Sequence, residues 1–197
     1  GETMNHADKQ ALCEKIAVAC RILAQQGIVR ETTGHISARM GENRMLIRCR
    51  SMQELGLIVT EPEAIREVTW DGIDEASDAA DYETPSELPI HGEIYRARPD
   101  VMAVVHSHSV AVVPFSILKG VPFRAVNHMG GFIGICAPIF EIRDFAGDAS
   151  DLLIRNSALG AGVAKILGDG NVVLMRGHGF TGATPLAFTA ASSRKLA

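Results

Sequence analysis

Pro99-Asp100-Val101-Met102-Ala103-Val104-Val105-His106-Ser107-His108-Ser109 is the stretch that organises this chain of 197 residues. Pro99 ends any helix before it, and in Val101–Val105 four of five residues are Val or Ala. That run is too short for a new helix and suits a buried central strand. The uncharged segment Val101–Leu118 has the length of a membrane span, but His106, Ser107, His108, Ser109, Pro114 and Ser116 lie inside it, so it is no bilayer helix. At the strand's end His106 and His108 are i and i+2. In extended backbone such residues share a face about 6–7 Å apart, which lets two imidazoles converge on one cation. Two polar histidines closing a strand would read the same way, so the pair alone leaves both meanings open.

Upstream, Ser86 offers an N-cap to a helix running to about Arg98, with Ile90 and Ile94 on one side. Glu87 and His91, i and i+4, share a face of it, either as a functional pair or as a dipole-favouring acid and a surface histidine. Asp74–Glu83 holds five acidic residues and four of Ala or Ser and reads as a solvated loop. Arg44–Cys49, Gly56–Thr60 and Arg66–Trp70 read as antiparallel strands, the last closed by Asp71-Gly72. Arg48 and Arg50, two apart on a strand, point the same way and can take a carboxylate in a bidentate fork, or face solvent. Thr33-Gly34-His35-Ile36-Ser37 is a Gly turn presenting a polar side chain. Leu12, Ile16, Ala19, Cys20 and Leu23 paint one face of a first helix that Gly27 ends.

Downstream, Val121–Val126 and Val172–Met175 are strand candidates, and Ser150–Leu167 has helical spacing between a Ser cap and Gly168. Arg176-Gly177-His178-Gly179 follows the last strand, and its glycines leave an uncrowded imidazole where a third ligand would stand, or a plain turn histidine. Residues 177–182 also match G-x-G-x-x-G, but no Asp or Glu follows Asp169 and too little chain remains for a dinucleotide fold. Short strands and helices alternating irregularly predict a mixed sheet covered by helices, a three-layer α/β/α arrangement.

Composition limits the rest. With 47% hydrophobic and 21% charged residues the chain is neither disordered nor collagenous, and 197 residues suit a single domain over 1–197. Lys and Arg total 19 against 23 Asp and Glu; the net charge of −4 offers no footprint for nucleic acid or an anionic membrane. Cys13, Cys20, Cys49 and Cys136 form no C-x-x-C pair and no apolar leader precedes them, which points to buried thiols in the reducing cytoplasm. Gly1-Glu2-Thr3 before Met4 reads as an expression remnant, and the chain stops at Ala197 inside an Ala-rich, helical-looking pattern that suggests more chain beyond it.

Five of the seven histidines fall in these clusters. Gly34-His35-Ile36-Ser37-Ala38-Arg39, Ser86-Glu87 with His91, Ile94-Tyr95-Arg96-Ala97-Arg98-Pro99-Asp100-Val101, Ala103-Val104-Val105-His106-Ser107-His108-Ser109 and Leu174-Met175-Arg176-Gly177-His178-Gly179 together resemble the class II aldolase/adducin family, over about residues 9 to 190. The resemblance implies an α/β/α sandwich with a mostly antiparallel mixed central sheet, often a homotetramer with active sites between subunits. It implies one divalent transition metal ion, Zn or Mn with Co or Fe also suitable, held by His106, His108 and His178. Glu87 corresponds to the carboxylate that binds the free metal or acts as acid or base. The sugar-phosphate members' phosphate-binding motifs are eroded here, at Gly34-His35, Leu55-Gly56-Leu57 and Pro85-Ser86. His128 stands where the aldolase takes a tyrosine from the adjacent subunit.

Arg48-Cys49-Arg50, Glu141-Ile142-Arg143-Asp144 and Arg176 are similar to members that decarboxylate hydroxylated aromatic or pyridine carboxylates. The expectation is therefore a metal-dependent carbon–carbon lyase, a decarboxylase of a small-molecule hydroxyaryl (di)carboxylate. In it Glu87 or His128 is the acid, and His35, Arg48, Arg50, Ser86, His91 and Arg176 surround the substrate. An aldolase or epimerase acting on a sugar phosphate or hydroxyacid, and a non-catalytic adducin-like interaction module, are the alternatives.

Overall fold

The computed structural model describes residues 6–53, 55–79 and 81–187; the expectations for Gly1–Thr3 and for the Ala-rich end lie outside the described residues. Helix α1 (His6–Gln25) forms because Leu12, Cys13, Ile16, Ala17 and Cys20 stack into one buried face. Gly27 ends it at φ +67°: its N–H donates to the Ala24 carbonyl and the Ile28 N–H to the Leu23 carbonyl, the two bonds of a Schellman cap. Strands β1 (His35–Arg39) and β2 (Arg44–Arg48) follow, then a two-residue β3 (Arg50–Ser51), β4 (Ile65–Thr69) and β5 (Tyr82–Glu83). Helix α2 (Leu88–Ala97) leads into β6 (Ala103–Ser107). Short α3 (Val113–Ile117), β7 (Ile139–Phe140) and α4 (Arg143–Ala146) precede α5 (Ser157–Leu167), which returns to β8 (Val172–Met175) and β9 (Gly179–Thr184).

Seven strands make one sheet in the order β4-β2-β1-β6-β9-β8-β7, antiparallel everywhere except between β7 and β8, with β6 at its centre. Side chains alternate between its faces. Ile36, Ala38, Leu46 and Ile65 pack with α1, whereas Met45, Ile47, Val68, Val104 and Val173 pack with Ile90 and Ile94 of α2 and Val163 and Leu167 of α5. The fold is thus the expected three-layer α/β/α sandwich around a mostly antiparallel mixed sheet.

Local expectations differ at five places. Gly56–Thr60 is not a strand: Gly56 takes φ +85°, the Leu57 N–H donates to the Glu31 carbonyl, and only one side chain of the apolar run, Leu57, is buried, in a 3₁₀ turn over Leu57–Val59. Val121–Val126 runs exposed and irregular, and Pro122 lacks the N–H a ladder needs. Helix α5 starts seven residues later than its Ser150 signal, capped by Asn156, whose side chain accepts from the Leu159 N–H. Ser86 is exposed and does not cap α2; Glu87 takes that position without a capping bond. The acidic loop is partly tied down, because Asp78 accepts from the Glu67 N–H and from Lys9, and Tyr82–Glu83 pairs with Arg50–Ser51. Residues 179–184 are a strand, which removes the phosphate-loop reading of the glycines. No helix among the described residues is long and apolar enough to cross a membrane.

Candidate metal centre

His106 lies inside the central strand, opposite His35 of β1 on one side and Thr181 of β9 on the other, and is fully buried. His108 follows just past the end of β6 with its side chain 29% exposed, which makes it the solvent-side member of the group. His178 is carried by the tight turn between β8 and β9, where Met175 faces Gly179 across the ladder and Gly177 takes φ +68°. Gly179 is required by contact: a Cβ there would lie 2.0 Å from the Ser107 carbonyl oxygen. Only glycine lets β9 run this close to β6 and so bring the third imidazole to the first two.

Glu87, buried ahead of α2, completes the group. Its Oε2 lies 3.3 Å from Nε2 of His106, 3.5 Å from that of His108 and 3.4 Å from that of His178. Its Oε1 accepts the Ile154 N–H at 3.0 Å, which fixes the carboxylate plane. Nε2 of His108 is 2.9 Å from that of His106 and 2.8 Å from that of His178. All four donor atoms lie within 4.8 Å of one another.

This arrangement fits a divalent cation. His108 Nε2 faces two other ring nitrogens and can carry at most one proton between them, so lone pairs converge that only positive charge can hold together. The His106 tautomer agrees: Thr181 donates its hydroxyl to Met175 Sδ, so its oxygen accepts from His106 Nδ1–H at 3.2 Å, which leaves Nε2 bare toward the group. Tetrahedral bonds of about 2.0–2.2 Å put ligand atoms about 3.3–3.6 Å apart, the range of the three Glu87 contacts. Burial lowers the His106 pKa, favouring the neutral ligand form. Burial works to raise that of Glu87, but the three imidazoles outweigh it and hold the carboxyl far below its ordinary range.

Of the residues expected from sequence, the structure brings together Glu87, His106, His108 and His178, with His35 beside them, its ring centroid 5.0 Å from that of His106. His91 lies one step behind, fully buried against His35. Ser86, next to Glu87 in the chain, is exposed, and the other four are elsewhere. Arg48 faces the α1 side of the sheet, near Cys20, because it follows Leu46 by two on β2; Arg50 is on the separate β3, its Nη2 3.3 Å from the Thr32 carbonyl. The two do not form one fork. Arg176 is engaged by Glu141 at 2.7 Å and by the Ser116 carbonyl at 2.9 Å. His128 begins an exposed 3₁₀ turn (His128–Ile133). Sequence reasoning missed Thr181, Ser37 and Tyr95. Tyr95 stands four residues after His91 on α2, a spacing that offered a signal; Thr181 offered none.

The class II aldolase and adducin N-terminal domain family matches residues 14–191. Over 189 residues the chain is 41% identical to a 3,4-dihydroxyphthalate decarboxylase of Arthrobacter keyseri, covering 93% of this chain and 73% of the relative. It is 36% identical over 180 residues to a 3,4-dihydroxyphthalate decarboxylase of Rhodococcus jostii (strain RHA1), covering 90% and 72%. Among solved structures, an aldolase II superfamily protein from Pseudomonas syringae superposes with a TM-score of 0.72 at 19% identity, over 90% of this chain and 66% of that one. L-fuculose 1-phosphate aldolase from Glaciozyma antarctica PI12 does so at 0.68 and 20%, over 94% and 68%, a likeness of fold. The chain belongs to the class II aldolase/adducin family.

Proposed function

We propose that this chain is a metal-dependent carbon–carbon lyase that decarboxylates a hydroxylated aromatic dicarboxylate of the 3,4-dihydroxyphthalate kind. The observation that carries this reading is 41% identity, along nine-tenths of the chain, with a 3,4-dihydroxyphthalate decarboxylase. In such a substrate the carboxylate beside a ring hydroxyl leaves as CO₂, its bonding pair stays on the ring carbon, and a proton takes its place. A divalent cation held by His106, His108, His178 and Glu87 supplies Lewis acidity for the negative charge that develops on the neighbouring oxygen. Zinc and manganese both suit this donor set.

The chain's own residues do the rest. Glu87, fixed by the Ile154 N–H, holds its anionic oxygen against three imidazoles. His35, next to His106, meets the polar rim of the ring, and Ser86, the exposed residue before Glu87, meets the substrate with it. Either Glu87, after taking the proton of the substrate's hydroxyl, or His128 delivers the proton to the ring carbon. In this reading the working form is a homo-oligomer, a tetramer, with His128 reaching a neighbouring subunit's site. The exposed side chains Val126, Met129, Phe132 and Ile135 beside it support a covered surface there. Four free cysteines, three of them buried, support a reducing, cytoplasmic setting. The test is CO₂ release from 3,4-dihydroxyphthalate against cleavage of fuculose 1-phosphate by the same metal-loaded protein. Rapid CO₂ release with no aldol cleavage is expected, and the reverse would replace the decarboxylase by an aldolase.

A further inference from the structure

Behind the metal centre runs a second buried polar chain. Tyr95 Oη is 2.7 Å from Ser37 Oγ, Ser37 Oγ is 2.6 Å from His91 Nδ1, and His91 Nε2 is 2.6 Å from His35 Nδ1. Tyr95, Ser37 and His91 are essentially inaccessible to solvent, and His35 is 6% exposed. The spacing of these atoms leaves room for one proton per contact. If His35 Nδ1 donates, neutral His91 donates from Nδ1 to Ser37, and one buried hydroxyl hydrogen, that of Ser37 or of Tyr95, is left without an acceptor in the chain, a loss of a kind that costs more than the bond is worth. If Tyr95 donates to Ser37, Ser37 donates to His91 Nδ1, and His91 Nε2–H donates to His35 Nδ1, every buried hydrogen is used. Burial pushes the Tyr95 hydroxyl well above its ordinary range and the His91 imidazole down to about 3, so both groups stay neutral.

The second direction has a consequence for His35. With Nδ1 accepting, its neutral ring carries its proton on Nε2, the ring nitrogen that does not face His91. We infer that Tyr95, Ser37 and His91 are positioning residues that lock His35 as an Nε2–H donor beside the metal centre, aimed at an anionic oxygen of the bound substrate, a carboxylate or phenolate. The choice of ligand rests on the decarboxylase reading above; the direction of the chain does not.

The tautomers are measured on metal-free protein labelled with ¹⁵N at histidine, by long-range ¹H–¹⁵N correlation, without substrate or turnover. Both His35 and His91 are expected as Nε2–H forms, and finding His91 as Nδ1–H overturns the proposal even if decarboxylation is demonstrated. Ser37→Ala should free His91 from a single tautomer and Ser37→Thr should restore it; a tautomer unmoved by Ser37→Ala contradicts the relay. Binding of 3,4-dihydroxybenzoate, the ring left when 3,4-dihydroxyphthalate loses its 2-carboxylate, gives a second readout on the metal-loaded protein. Affinity should drop about tenfold in His35→Phe and stay within about threefold in His35→Gln, which keeps an N–H near the Nε2 position. Equal losses in both variants would make His35 a space-filling residue and overturn its donor role.

Discussion

Glu87 is both anchored, through the Ile154 N–H, and within 3.5 Å of all three Nε2 atoms. Glu87→Gln keeps the size and the acceptor for Ile154 but removes the charge. Turnover is expected to fall roughly 10²-fold or more, the scale of a lost acid or base, with the circular dichroism spectrum unchanged; wild-type turnover would exclude a role in the chemistry. Thiols give an independent check on burial. Burial raises Cys13, and pushes Cys20 and Cys49 up to about 12, while Cys136 is exposed. One thiol per native chain is therefore expected to react quickly with a disulfide reagent at pH 8, and three more only after denaturation. The His106, His108 and His178 cluster was legible because i, i+2 spacing on a strand and a glycine-flanked turn are local patterns. Ser37 was not, and Tyr95 only through its spacing of four from His91, because their meeting depends on the docking of α2 against β1, which no short motif records. The Arg48 and Arg50 fork failed for the same reason: the strand breaks at Cys49, so period-two reasoning stopped applying between them.

Strand β9 brings His178 to the centre only because Gly179 has no Cβ. Gly179→Ala places a methyl group against backbone, the Ser107 carbonyl, which cannot swing away. A loss of about 1–3 kcal/mol in a urea melt is expected, with weaker divalent-cation binding as His178 moves. Gly162→Ala on α5 makes the contrast: its Cβ would meet side chains and not backbone, the half-exposed Phe145 ring at 2.9 Å, able to rotate, and the buried Phe140 ring at 3.1 Å, and alanine favours the helix by up to about 1 kcal/mol over glycine. That variant should be within about 1 kcal/mol of wild type and bind cation normally; equal losses in the two would show that strand spacing is not what places His178. The strands read from sequence were right where β-branched residues had partner strands on both sides, as in β6 and β8. Gly56–Thr60 misled because Leu-Ile-Val is rich in strand-favouring residues, whereas Ile58 and Val59 are each 47% exposed. Strand propensity reports how a side chain suits a pleated surface, and says nothing of whether a free sheet edge is available to receive it.

Across the molecule, α1 is tied to β4, β2 and the acidic loop by Lys9 with Glu67 and Asp78, and by Arg44 with Glu67 and Asp74. Burial opposes ionisation of Glu67 and Asp78, but Lys9 and its neighbours outweigh it and hold both carboxyls below their ordinary values. Groups whose folded pKa is depressed stabilise above the unfolded pKa and lose that contribution as protons bind. The melting temperature is therefore expected to be level above about pH 7, to start falling near pH 6.5 as unfolding lets the buried neutral His91 and His106 take up protons, and to fall further below about pH 4 as these carboxyls protonate, this last part by a modest amount because the pairs are largely solvated. A Glu67→Gln variant should flatten that fall, and an unchanged acid limb would remove the network from the account. The layered architecture was visible in the alternation of short strands and helices, since each needs an apolar face covered. The role of the exposed surface around His128 was not, because one chain's pattern does not encode a partner's position. The most direct test is to strip the protein of metal, add back Zn²⁺ or Mn²⁺ in steps and follow CO₂ release from 3,4-dihydroxyphthalate. The rate is expected to rise in proportion to one ion per chain, then level off, and to stay at baseline in His106→Ala; full CO₂ release from metal-free protein would contradict it.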